Sequence, residues 1–144
     1  MMNNMKEKEK LAYAIAYVAH KGQVDKVGKD YINHPITVAS YCKTEDERVV
    51  GLLHDVVEDT NITLEDLSKF FDSNIIDALK LLTHDDDTPY MEYVARIKEN
   101  EIAKAVKIAD LTHNMDLSRF ENPTKWDYDR VEYKYKPAME ILKK

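Results

Sequence analysis

An all-α fold is predicted for this chain by three features: apolar residues recurring at helical spacing, side-chain caps that mark helix starts, and a scarcity of glycine. Only three of 144 residues are glycine while 44% are hydrophobic, a balance that favours packed helices over a turn-rich β architecture. The length fits one domain, 1–144, large enough to bury a core.

The elements follow in order. Leu11, Ile15, Val18 and Ala19 recur at helical spacing and the pattern stops near Gly22, which predicts a helix over about 6–20 with that stripe inward. Residues 21–34 form a polar, lysine-rich loop holding Gly22 and Gly28, and Pro35 opens the next helix, so His34 stands at a helix mouth. Thr44-Glu45-Asp46-Glu47 and Thr63-Leu64-Glu65-Asp66 are capping patterns that start two more. Ile75–Leu82 is a short apolar helix, and Thr88-Pro89 caps one running to about Lys98. Glu101–Met115 comes next, with Ile102, Val106 and Ala109 inward and Asp110 and Asn114 sharing a flank four residues apart. Asn122-Pro123-Thr124 begins a terminal helix in which Val131, Tyr135 and Met139 stack and Pro137 imposes a kink or break.

Within this frame, Val49–Asp59 is the segment richest in chemistry. Read as one helix at about 100° per residue, it gathers Val49, Val50, Leu53, Val56 and Val57 on one side and His54, Asp55 and Glu58 around Gly51 on the other. Gly51 would leave the backbone open to a ligand. Carboxylates one turn apart repel by roughly 0.2–0.5 kcal/mol on an exposed helix. A divalent ion would reverse that sign. A solvated polar face explains the pattern equally well, and the segment alone leaves both readings open.

Charge narrows the partners. With 21 basic against 27 acidic residues the net charge is −6, which argues against a nucleic-acid polymer held by general phosphate attraction. Cys42 is the single cysteine, taken as a core residue, and a reducing cytoplasm is expected. The charged run Met1–Lys10 leads into a short amphipathic stretch, so neither a signal peptide nor a membrane span is expected there.

Several residue groups occur in a fixed order: Tyr31-Ile32-Asn33-His34-Pro35, His54-Asp55-Val56-Val57-Glu58-Asp59-Thr60 and Ala109-Asp110-Leu111-Thr112-His113-Asn114-Met115. On these, and on Ala19–Gln23, the chain resembles the HD-domain phosphohydrolases, most closely the hydrolase half of the RelA/SpoT alarmone enzymes and their stand-alone small relatives. The resemblance runs from Ala19 to the terminal helix around Trp126 and implies a single compact HD-domain helical bundle. It also implies that His34, His54, Asp55 and Asp110 ligate one divalent ion, usually Mn2+. A shell of two nitrogens and two carboxylates suits manganese or iron better than magnesium, and leaves positions open for water and substrate. Glu58 and Asp59 would orient or activate the attacking water, and Lys26 and Asn114 would bind the substrate. That substrate would be a small phosphorylated nucleotide, foremost ppGpp or a close analogue losing its 3′-pyrophosphate.

The chain also departs from that family. Asp25 stands where an arginine usually stacks on guanine, and Leu111 and Asp116 occupy two positions that are usually basic. Without those basic groups, a highly anionic ligand forgoes roughly 1.5–3 kcal/mol for each charge-assisted hydrogen bond. Another nucleotide or phosphomonoester is therefore the alternative substrate, and a non-catalytic nucleotide-binding module is a third reading. The length leaves no room for an alarmone synthetase domain, and no Gly-rich phosphate loop with a following lysine is present. His20 and His113, beside apolar stripes, are read as structural hydrogen-bonding residues and Tyr31 as packing. His84 with Asp85–Asp87 could suggest a second metal site, but the acids are read as a solvated loop placed favourably before the helix that starts at Thr88. The tyrosines of the tail, Tyr128, Tyr133 and Tyr135, are read as core and rim away from any basic face.

Overall fold

Helix α3 (Glu45–Leu53) lies at the centre of the packing in the computed structural model, which describes residues 5–144. Its residues Val49, Val50, Leu52 and Leu53 are buried, and it contacts α1 (Glu7–Ala19), α2 (Asn33–Ser40), α6 (Ser73–Leu82) and α8 (Glu101–Met115). The other helices are α4 (Val56–Asp59), α5 (Leu64–Ser68), which packs on α6, α7 (Tyr90–Ile97) and α10 (Lys136–Lys143), which pack on α8 and on each other, and α9 (Lys125–Arg130). Among the described residues there is no β-strand, only an isolated bridge between Val24 and Asp30. No helix among them is long and apolar enough to cross a membrane. Met1–Asn4, the start of the charged run, lies outside the described residues.

The caps explain where helices begin. Thr44 Oγ1 accepts from the Glu47 backbone N–H, while the Glu47 carboxylate accepts from Lys43 N–H rather than from Thr44. Full reciprocal boxes form at Thr63/Asp66 and Thr124/Asp127, and each satisfies donors that an uncapped helix would leave orphaned.

Three expectations change. Helix α1 forms as predicted but buries Ala12 and Ala16, leaving Leu11 and Val18 exposed at 38% and 71%. The small residues let α1 approach α3 closely, and the Arg48 guanidinium reaches back to the buried Glu9 carboxylate at 2.8 Å. The stretch Val49–Asp59 is not one helix: it breaks at His54–Asp55, between α3 and α4.

Gly51 is no ligand approach either. It is where α2 crosses α3: a Cβ there would lie 3.2 Å from Ala39 Cα and 3.3 Å from Ala39 N. Because backbone must move to admit a methyl group, Gly51→Ala is expected to lose about 1–3 kcal/mol to overpacking against about 1 kcal/mol of gained helix propensity. A lower urea midpoint with unchanged m value would show this. A higher midpoint would mean that the α2–α3 crossing yields freely.

Pro137 is accommodated upstream. A π-helical turn, Val131–Tyr135, joins α9 to α10 and widens the coil before the proline, which occupies the tolerant first turn of α10. The Cys42 thiol is half-buried and donates to the Val38 carbonyl, and burial pushes its pKa up to about 11.

Candidate metal centre and nucleotide cavity

Residues from three parts of the chain meet where α2, the α3–α4 turn and α8 converge. One ligand atom from each of the buried residues His34, His54 and Asp110 lies within 4.8 Å of the other two. Asp55 lies beside this triplet, its Oδ2 at 3.6 Å from His34 Nε2 and 3.2 Å from His54 Nε2. The helix break at His54–Asp55 puts both side chains at a turn, where neighbouring residues can face the same centre.

The tautomers follow from the hydrogen bonds. His54 Nδ1 lies 2.6 Å from the Gly51 carbonyl, to which it must donate, so in the neutral imidazole it is Nε2 that carries the lone pair. That Nε2 is buried and has no hydrogen-bond partner; the nearby Asp55 oxygen is not directed at it as one. His34 Nδ1 lies 2.7 Å from His113 Nδ1. Burial, with Arg119 and His34 adding to it, lowers the His113 pKa to about 4, so His113 is the neutral acceptor and His34 the donor. His34 Nε2 is then turned toward Asp110 Oδ1 at 2.9 Å. Both imidazoles thus present a nitrogen inward with the far nitrogen fixed, the usual preparation of a metal-binding histidine.

The electrostatics favour a cation. Burial alone would depress the His54 pKa, yet Asp55 and Asp110 outweigh it and raise it well above the ordinary value. Burial would raise Asp55, but the neighbouring His54, with a contribution from His34, holds it at about 2. Asp110 is held well below the carboxylate range against its burial, chiefly by the Lys107 ammonium and the two imidazoles. The donor set, the unpartnered His54 Nε2 and this demand for positive charge make the buried His/Asp group compatible with a divalent metal ion.

Beside it opens a cavity of about 430 Å³, lined among others by His34, Asp55, Asp110, Asn114, Asp25 and Lys26. Arg119, Trp126, Arg130 and Tyr135 line it too. Lys26 Nζ lies 3.7 Å from the centre of the Trp126 ring and Arg130 Cζ 4.5 Å from it. Arg130 Nε donates to Tyr135 Oη at 3.1 Å. Tyr135 therefore does face a basic group, contrary to the sequence expectation, whereas Tyr128 and Tyr133 are exposed.

Asn114 Nδ2 donates to Asp110 Oδ1 at 3.2 Å. Glu58 and Asp59 are not among the residues lining the cavity. The Glu58 carboxylate accepts from the His84 backbone N–H, and burial raises its pKa; Asp59 is raised by burial and by Asp55. Tyr31 does more than pack: its hydroxyl donates to Asp55 Oδ2 at 2.7 Å. His20 pairs with Gln23, whose amide reaches the Asp59 carbonyl. His84 stacks on Tyr93 and Asp85–Asp87 are exposed, as a solvated loop should be. Sequence reasoning missed Lys107, Arg119, Trp126 and Arg130. Each carries the signature of an ordinary surface residue, and no local pattern distinguishes them.

The HD-domain family model matches residues 12–107, two thirds of the chain. The chain belongs to the HD-domain family. This HD-domain chain is 34% identical over 131 residues to the guanosine-3′,5′-bis(diphosphate) 3′-pyrophosphohydrolase MESH1 of Danio rerio, covering 83% of this chain and 72% of that protein. It is 34% identical to MESH1 of Mus musculus, covering 95% and 85%. The bifunctional (p)ppGpp synthase/hydrolase SpoT of Escherichia coli is 32% identical over 72% of this chain but only 17% of that longer protein. A solved structure described as a metazoan ortholog of SpoT that hydrolyzes ppGpp superposes with a TM-score of 0.73 at 27% identity, covering 95% of this chain and 84% of that one. The all-α bundle is thus the HD hydrolase fold, and the chain is homologous to ppGpp hydrolases.

Proposed function

We propose that this HD-domain chain, acting as one domain, is a metal-dependent hydrolase that removes the 3′-pyrophosphate of ppGpp or a closely similar nucleotide. The observation that carries the reading is the buried His34–His54–Asp110 triplet, with its unpartnered imidazole nitrogen, opening on a cavity lined by three cationic side chains. Homology to proteins named as ppGpp pyrophosphohydrolases supports the substrate class.

In this reading His34, His54, Asp55 and Asp110 hold one divalent ion, and the mixed nitrogen and oxygen donors suit Mn2+ or iron better than Mg2+. When bound, the ion supplies Lewis acidity to the scissile phosphate and to water. The chain's own residues do the rest. Tyr31 holds the Asp55 carboxylate and His113 orients His34. Lys26, Arg119 and Arg130 receive the remaining phosphates, and Trp126, which lines the same cavity with Lys26 and Arg130 against its ring, offers aromatic surface to the nucleotide. Glu58 and Asp59 lie one turn beyond Asp55, and their raised pKa values bring them closer to the working range of a general base that accepts the proton of the attacking water. A reducing cytoplasm suits a chain whose single cysteine is half-buried against the core.

A second reading keeps the metal and changes the nucleotide. Asp25 favours it, because the carboxylate is engaged by the Val27 and Lys29 backbone N–H groups and lies 4.0 Å from Arg119, an arrangement unlike a guanine-stacking arginine. A manganese-supplemented panel of phosphorylated nucleotides separates the two. Release of pyrophosphate from ppGpp well above other substrates supports the first reading. Faster turnover of another phosphomonoester supports the second, and nucleotide binding without turnover would leave only a binding module.

A further inference from the structure

Asp110 is approached from two sides. Its Oδ1 faces the site, at 2.9 Å from His34 Nε2, 3.6 Å from His54 Nε2 and 3.2 Å from the Asn114 amide. Its Oδ2 points the other way and accepts from Lys107 Nζ at 3.0 Å. This ammonium is one helical turn away on α8, and its side chain is only 11% exposed. The rings of Tyr93 and Tyr90 lie 5.3 Å and 5.6 Å from Nζ and fix it in place. A lysine sequestered this far from water makes no sense as a solubilising side chain. It also lies outside the cavity lining, so it is not a phosphate contact.

A carboxylate can bind a divalent ion through one oxygen or through both. The second mode consumes a coordination position that hydrolysis needs for water or substrate. We infer that Lys107 is a positioning residue that occupies Asp110 Oδ2 and so confines Asp110 to a single-oxygen contact with the ion, preserving an open coordination position. This rests on the metal-binding reading above. Asn114 acts from the other side, so the carboxylate is held by a donor at each oxygen. Neither residue touches the reacting atoms in this role.

The test uses the full chain, Mn2+ as the probe, and water-proton relaxation to count the waters on the bound ion. Lys107→Met is expected to bind Mn2+ at least as tightly as the native protein, because a neighbouring positive charge is gone. It is expected to carry one coordinated water fewer and to lose roughly 10- to 100-fold in kcat with little change in KM. Lys107→Arg restores a charged donor and is expected to recover the native hydration. It also keeps the question answerable if the methionine variant does not fold, as judged by circular dichroism.

Native hydration in folded Lys107→Met overturns the inference, as does its failure to bind Mn2+. A loss in Lys107→Arg equal to that in Lys107→Met overturns it too. Failure of the native protein itself to take up Mn2+ removes the metal reading and this inference together. That outcome is distinguishable because it appears before any substitution is made.

Discussion

Asp55→Ala is expected to abolish manganese-stimulated turnover while leaving the helical circular dichroism signal intact. The carboxylate lies within 3.6 Å of both inward imidazole nitrogens and contributes half of the negative charge that attracts a cation. Losing outer residues that only orient a ligand typically costs 10- to 100-fold, so loss of a ligand should cost at least about 100-fold. A second measurement separates chemistry from binding. Saturating Mn2+ at about 100 times Kd should stabilise the native protein by about 2.7 kcal/mol, and this thermal shift should shrink or vanish in Asp55→Ala. Asp55 accepts from the Tyr31 hydroxyl and lies against His54, so the metal-free variant should melt somewhat below the native protein, and the Mn2+ shift is measured from the variant's own metal-free midpoint. Turnover at the native rate in Asp55→Ala would remove the chemistry assigned to this centre.

Paired substitution of Lys26 and Arg119 by alanine should weaken use of ppGpp far more than use of a substrate lacking the 5′-diphosphate. Both residues line the cavity, and the Arg119 Nε is buried without a hydrogen-bond partner, its nearest carboxylate being Asp25 at 4.0 Å from Nη1. An unpaired guanidinium nitrogen is costly to bury unless an anion arrives. Each charge-assisted contact is worth about 1.5–3 kcal/mol, which corresponds to about 10- to 150-fold in kcat/KM per residue. The effect should fall mainly on KM and soften with added salt at the exposed Lys26. Equal losses for both substrates would place the 5′-phosphates elsewhere.

These cations also revise how the sequence is to be read. The non-basic residues Leu111 and Asp116 suggest a lip too poor in charge for a tetraphosphate. Folding brings Arg119 and Arg130 into the same cavity from beyond α8, a regrouping invisible in linear order because nothing local marks either residue. The helix starts were legible for the opposite reason. Thr44, Thr63 and Thr124 act on N–H groups three residues away, so their chemistry is written in adjacent letters.

The break at His54–Asp55 was hidden by the unbroken apolar run on either side of it. Gly51 was misread because its reason for being glycine lies in another helix, at Ala39. His34 and His113 are 79 residues apart and meet at 2.7 Å, a contact that periodicity alone could not supply. Lys107 carries no mark in its sequence neighbours. In a chain this rich in lysine, only burial shows that this one is different.

The π-helical turn at Val131–Tyr135 has an effect on the cavity that its modest length conceals. A wider coil brings residues five apart onto one face, which is how Arg130 and Tyr135 come to touch. The extra residue is absorbed within that single turn, so Asp127 before it and Ala138 and Leu142 after it keep their buried registers. Deleting one residue there would straighten the coil and swing the phenol away from the guanidinium without disturbing the anchors on either side. The far wall of the cavity can therefore be reshaped by a single codon, independently of the helices that bring His34, His54 and Asp110 together.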